Sequence, residues 1–323
     1  MSNDILLSIC VPTYNGAERI QHCIDRLLDS RKSRNDVEIV ISNNCSTDGT
    51  DLILEKYKNS KRLKINSNKF NLGFIGNIAV IIDQLSNGKY TWIIGDDDLV
   101  DIDAIDIICS TILYTNTDYI SVKHRLLSLE QAKHFKKNKK KDEGYCQGNY
   151  FSVLDINASA GNILGTFMSS QIFRTDVVRK FNKTLLGPND WASFVTTFPN
   201  SYMMTMCFYN SDKCISINAP LITALLHSKS WDDKLFVVAT KILPEYYDYC
   251  LGLGASKIDL YNNNYLIAKG AFCHYLKELK RGGIKKNDFN KFIGYMYTVI
   301  KCYVVKMWKL KYVNEALSTI LCK

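Results

Sequence analysis

The sequence contains no C-x-x-C pair, no H-E-x-x-H and no paired spacing among His22, His124, His134, His227 and His274. A zinc site on nitrogen and sulfur is therefore not expected, and any metal should be oxygen-bound. No glycine-rich phosphate loop follows the first apolar run, where "PTYNGAERI" (12–20) stands instead; this argues against a sugar-1-phosphate nucleotidyltransferase. The opening "MSNDILLSICVPTYNG" lacks a basic start, an apolar h-region and a small-residue cleavage site, so a cytoplasmic chain is expected. Cysteine is not scarce, but the count of 11 is odd and Cys10, Cys109, Cys207 and Cys302 sit singly in apolar stretches. That pattern reads as reduced packing residues.

What is present is a chain of 323 residues, 46% hydrophobic, enough for one large or two modest domains. The net charge of +9 implies an anionic partner, whether nucleic acid, phosphorylated small molecule or acidic membrane surface. Strand-like runs at 5–11, 37–42, 63–66, 91–95 and 118–122 alternate with helical patterns at about 17–28, 48–57, 74–85 and 104–113. This β-α alternation predicts an α/β fold with a mainly parallel, doubly wound sheet, and ligands of such sheets bind at the strands' carboxyl ends. Asn15, Asn43, Asn44 and the run Asp96-Asp97-Asp98 fall there.

A basic run "KHFKKNKKKDEG" (133–144) interrupts the pattern and reads as a loop. From Tyr150 to Trp231 the chain is mixed, with a strand expected at "FMSSQIF" (167–173), and after Asp232 it becomes helical. The expected organisation is a domain over 1–231, its halves at about 1–122 and 150–231, then a basic, amphipathic helical region over 232–323. In the tail, Phe292, Met296, Val299, Ile300, Tyr303, Val304, Met307 and Trp308 form one helical stripe flanked by lysines. Its longest charge-free run is Phe292–Ile300, far short of the roughly 20 residues that span a bilayer. The stripe either packs on the core or lies on an anionic membrane surface.

Three readings of the aspartate run differ in what they explain. An EF-hand loop starting at Asp96 would need oxygen, glycine and glutamate where Val100, Asp101 and Ile107 stand, so it fails. Capping of the next helix suits Asp101 or Asp103 but not a cluster of three. A divalent-cation site for a diphosphate explains all three, because Mg²⁺ or Mn²⁺ takes carboxylates on one side and phosphate oxygens and water on the other.

The segments "VPTYNGAERI" (11–20), "ISNNCSTDGT" (41–50), "NKFNLGFIGN" (68–77) and "GKYTWIIGDDDL" (88–99), in this order and spacing, resemble the family-2 glycosyltransferases. These are inverting enzymes of the GT-A fold, and the likeness is greatest to the bacterial O-antigen and surface-polysaccharide branch that includes abequosyltransferases. The resemblance implies a metal-dependent transfer from a nucleotide-sugar donor of UDP, CDP, dTDP or GDP type to a hydroxyl of a growing surface glycan. The acceptor would be lipid-linked at the inner membrane face, and no nucleic acid is involved.

By the same resemblance Pro12, Thr13 and Tyr14 border the nucleoside, with Glu18 nearby, and Asp48 meets the nucleoside region; Glu18 reads equally as a first-turn carboxylate and Asp48 as an N-cap. Asn43 and Asn44 replace a pair of which the first is commonly aspartate. Asn43 donates as well as accepts, which makes a cytosine base tolerable. Asn77 belongs to the donor set, but Gly76 stands where many relatives carry a basic residue. Asp98 is the expected direct metal ligand, with Asp96 facing ribose and metal and Asp97 able to share either role. Asp190 in "LLGPNDWASF" (185–194) takes the place of the general base, with Asn189 where a glutamate is usual and Trp191 stacking on a sugar. His227 completes the metal shell, and Ser169 and Ser170 lie near the acceptor. The Asn43, Gly76 and Asn189 departures leave open a degenerate protein that binds sugar or nucleotide without turnover; a basic nucleic-acid- or membrane-binding protein is the remaining alternative.

Overall fold

The computed structural model describes residues 5–61, 63–127, 167–181, 193–210 and 213–225, with selected positions from 237 to 304. Residues Met1–Asp190 and Phe198–His227 make one unit, and Trp191–Thr197 with Ser228–Lys323 a second.

The first unit is built on an eight-stranded sheet in the order β3-β2-β1-β4-β7-β6-β8-β5. Strands β1 (Leu7–Thr13) and β2 (Val37–Asn43) are buried along nearly their whole length, as strands covered on both faces must be. They pair in parallel from Leu7↔Val37 to Thr13↔Asn43. β3 (Leu63–Ser67) extends β2, and β4 (Tyr90–Ile93) lies on the other side of β1, both parallel.

The rest of the sheet is mixed. β7 (Gln171–Arg174) runs antiparallel to β4 and to β6 (Tyr119–Leu127), β8 (Cys214–Leu225) is parallel to β6, and β5 (Asp98–Val100) is antiparallel to β8.

Period-two alternation sorts the core onto two faces. Leu7, Ile9 and Val11 of β1 and Ile39 and Ile41 of β2 pack with Ile20, Cys23, Ile24 and Leu27 of helix α1 (Ile20–Arg31) and with Ile105, Ile108, Cys109 and Ile112 of α4 (Ala104–Thr115). Both helices place apolar residues at i, i+3, i+4 and i+7 or close to it, and each such side chain contributes roughly 1.5–3 kcal/mol on burial. On the opposite face Cys10 and Val40 meet Ile81 and Leu85.

Two shorter α-helices, α2 (Thr50–Glu55) and α3 (Gly73–Val80), lie between β2 and β4, and α5 (Thr175–Phe181) follows β7. The continuous helix expected over 74–85 is instead α3 followed by a wider π turn at Ile81–Leu85. The strand expected at 167–173 begins as a 3₁₀ turn, Met168–Ser170, before β7. β5 is an addition that three residues bearing an aspartate do not announce. The Asp101 side chain does not cap α4: its carboxylate accepts a bidentate pair from Arg125 at 2.6 and 2.9 Å, which ties the turn after β5 to β6.

Candidate active site

The sheet order reverses direction at β1, because β2 and β3 are laid to one side and β4 to the other. In sheets of this kind the strand ends diverge at such a switch point, and ligands bind at their carboxyl side. Pairing of β1 with β4 stops at Cys10↔Ile93, so Pro12 lies past the last pair and its missing N–H costs β4 nothing.

The residues that follow β1 and β4 meet there. Thr13 Oγ1 donates to Asp96 Oδ2 at 2.6 Å, and Arg19 Nε donates to Asp96 Oδ1 at 2.7 Å. The Arg19 guanidinium also reaches the Tyr14 carbonyl at 3.4 Å. A side chain on Gly16 would collide with Thr13 Oγ1 and Asp96 Oδ2, so glycine is what lets these groups close. Arg19 occupies the N-cap of α1, where the macrodipole opposes a cation by about 0.3–1 kcal/mol; the carboxylate partner offsets that cost.

Asp98 is buried. Its Oδ2 accepts from Ser169 Oγ, which itself accepts the Gly95 N–H at 2.8 Å, and the Ser169 carbonyl accepts Trp92 Nε1–H at 2.7 Å. Burial, with the charges of Asp97 and Asp96 added, pushes the Asp98 carboxyl up to about 8, although the Ser169 bond pulls the other way. Asp97 Oδ1 and Asp98 Oδ2 each stand 2.9 Å from the place a Cβ on Gly95 would take, so the two carboxylates crowd one side of that glycine. Among the described residues no three His, Cys, Asp or Glu side chains converge as a complete metal site. The crowded carboxylates of Asp97 and Asp98 have the oxygen chemistry that suits a hard cation, whose remaining positions phosphate and water would fill.

On the β2 side the polar residues are stitched to one another. Asn15 and Ala17 N–H groups donate to Ser46 Oγ at 2.9 Å and Asp48 Oδ2 at 3.0 Å, and Thr47 N–H donates to Asn15 Oδ1 at 2.9 Å. Asp48 also accepts Thr50 N–H at 3.1 Å at the start of α2. Burial opposes its charge, but the Thr50 and Ala17 bonds hold its carboxyl below the ordinary value.

Asn43 has its amide turned inward, donating to Asp51 and accepting Ser46 Oγ at 2.6 Å. Asn44 accepts Asn68 Nδ2 and Leu72 N–H and donates to Asn71 and Gly73. Asn77 bonds Ser42 and Asn68. The hydrogen-bonding groups of Asn44 and Asn77 are thus engaged within the protein, where they hold the β2 and β3 ends in shape. Tyr14 and Glu18 face solvent, whereas Ser170 is buried with its hydroxyl on the Phe167 carbonyl.

Sequence comparison identifies the family to which this part of the chain belongs. The model of glycosyl transferase family 2 matches residues 8–180, more than half of the chain. The chain belongs to the family-2 glycosyltransferases. Abequosyltransferase RfbV of Salmonella typhimurium is 28% identical over 244 residues, 71% of this chain and 69% of that protein. Residues 1–349 of TarS of S. aureus, solved with UDP-GlcNAc, superpose with a TM-score of 0.62 at 16% identity, covering 92% of this chain and 81% of that one. The mannosyltransferase PcManGT of Pyrobaculum calidifontis, solved with GDP-Man and Mn²⁺, gives 0.55 at 14% identity over 94% and 87%. At those identities the two structures speak for a shared GT-A fold.

Three of the residues singled out in this glycosyltransferase, Asp190, Trp191 and His227, lie outside the described residues. Conversely, two structural contributors went unmarked in the sequence. Arg19 was legible only as a cation placed against a helix dipole, and Gly16 only as a small residue before a helix. The task of Ser169 also differs from that expected, since its hydroxyl bonds Asp98.

Proposed function

We propose that the enzyme is an inverting transferase that moves a sugar from a nucleotide-sugar donor to a hydroxyl of a growing surface glycan such as O-antigen. The observation that carries this reading is the carboxylate cluster at the β1/β4 switch point, with Asp98 buried against Ser169. Asp98 and Asp97 would hold a divalent cation, Mn²⁺ or Mg²⁺. Such an ion, when bound, neutralises the diphosphate as charge builds on it.

Asp98 pairs with Ala224 across β5 and β8, and His227 follows three residues later along the chain, which supports it as a further ligand. Thr13, Tyr14 and Asp48 border the nucleoside, with Asp96 directed to the ribose, while the amides of Asn43, Asn44 and Asn77 keep the β2-side loops in place. Asp190 takes the proton from the acceptor hydroxyl as that oxygen attacks the anomeric carbon on the face opposite the departing diphosphate. Trp191 supplies a flat apolar face for the acceptor sugar.

Thermal shift against UDP, CDP, GDP and dTDP, each with and without Mn²⁺, tests the donor site. One nucleotide is expected to stabilise the protein in a Mn²⁺-dependent way, by about 2.7 kcal/mol at 100 times its dissociation constant. No shift with any nucleotide and metal would remove the reading.

We further assign the acceptor to a lipid-linked glycan, reached by peripheral attachment. Ile293, Tyr297, Ile300 and Val304 are helical and 48–67% exposed, and spacings of four, three and four put them on one helical face. Of the stripe expected from the sequence, Ile300 and Val304 are among these exposed residues, and Phe292, Met296, Val299, Tyr303, Met307 and Trp308 lie outside the described residues. Residues 277–323 carry eleven Lys and Arg against three Asp and Glu. An apolar face in basic surroundings suits an anionic interface. Co-sedimentation with phosphatidylglycerol-containing vesicles is expected and should weaken at high salt. Equal binding to neutral vesicles, or none, contradicts it.

A further inference from the structure

Arg19 brings a cationic side chain onto the aspartate run through Asp96. Thr13 and Arg19 between them occupy both oxygens of Asp96, whereas Asp97 and Asp98 crowd together beside Gly95. The guanidinium also lies in the field of Asp97 and Asp48. Its side chain is 38% exposed. Of its five N–H groups, the bonds to Asp96 and Tyr14 use two. A positive charge so placed repels a free divalent cation and attracts an anionic nucleotide.

Resting on the donor-site reading above, we propose that Arg19 is a positioning residue that makes cation and nucleotide bind as a pair. It takes Asp96 out of the cation's coordination and weakens the hold of the site on a lone metal ion. It then offers its remaining N–H groups to the diphosphate that arrives with one. A residue that merely braced the loop would raise or lower both affinities together; this one sets them against each other.

The test uses the full chain and the variants Arg19→Ala, Arg19→Gln and Arg19→Lys. Free Mn²⁺ is followed by electron paramagnetic resonance, and UDP, CDP, GDP and dTDP by calorimetry, each ligand alone and then together. Arg19→Ala and Arg19→Gln are expected to bind Mn²⁺ alone about 10-fold more tightly and the metal-free nucleotide about 10-fold more weakly, by loss of one charge near the site. The enhancement of Mn²⁺ affinity by nucleotide should shrink accordingly, and Arg19→Lys should return lone-Mn²⁺ binding toward wild type.

Neutral variants that weaken both ligands, or change neither, overturn the inference while leaving the donor site standing. Wild-type protein that binds neither Mn²⁺ nor any nucleotide overturns both. The Gln variant keeps the comparison valid should the Ala variant fold poorly.

Discussion

Replacing Asp98 with asparagine is expected to lower kcat/KM by about 10³-fold and, at the same time, to raise the melting temperature of the metal-free protein at pH 8. The first effect follows from the role proposed for Asp98, a cation ligand serving charge that develops on the leaving diphosphate, several kcal/mol at 1.36 kcal/mol per tenfold. The second follows from the state of the free site. Burial and the neighbouring Asp97 and Asp96 lift the folded carboxyl to about 8, against roughly 3.9 in an unfolded chain.

The folded protein therefore keeps a proton that the unfolded chain releases. The stability this brings is complete below the unfolded value and is lost as pH rises toward the folded one. Asparagine does not ionise, and its carbonyl still accepts the Ser169 hydroxyl. The gap between variant and wild type should be small near pH 4 and widen toward pH 8, reaching at least ~1 kcal/mol, or ~2 °C. Melting curves across that range decide the matter: parallel curves would mean Asp98 is not strained, and full activity in the variant would take it out of the donor site.

The second large effect is expected at Asp190. Asp190→Asn should reduce kcat by about 10²–10⁴-fold, the usual yield of a positioned base, while leaving nucleotide affinity within about 2-fold. Asp176, an aspartate earlier in the sequence, is a poor base. Its carboxylate is bonded by Arg174 Nε at 2.7 Å at the start of α5, and that bond holds its carboxyl below the ordinary value. Asp176→Asn is the matched control and should retain near wild-type turnover. Equal losses in the two variants, or a loss at Asp190 confined to nucleotide binding, would reassign the base.

The parallel half of the sheet could be read from the sequence because β1, β2 and β4 are predominantly apolar runs, and burial on both faces leaves such a run few alternatives. The polar strand ends were legible too, since Asn15, Asn43, Asn44 and the aspartates stand where strands end. Other features could not be read this way. β5 exists only because Asp98–Val100 meets a distant strand, Ala224 to Ile222. Nor does sequence distance foretell that Asn44 and Asn77 have their amides bonded within the protein, because each partner depends on the packing of β2 against β3 and α3. Arg19 was hidden for a similar reason: its meaning comes from Asp96, 77 positions away.

That separation has a kinetic side. The bonds from Thr13 and Arg19 to Asp96 close loops of 83 and 77 residues, and pairing of β1 with β4 cannot precede the crossover that carries the chain through β2 and β3. Parallel pairings of such range are slow to form, since loop closure must be achieved before contacts reward it. In a refolding experiment, nucleotide affinity should therefore be among the last properties to appear, after the β1–β2–β3 signals. During synthesis, a nascent chain ending before Tyr90 would hold the β1 end of the site without its aspartates, so competence to bind donor marks completed assembly of this half of the sheet.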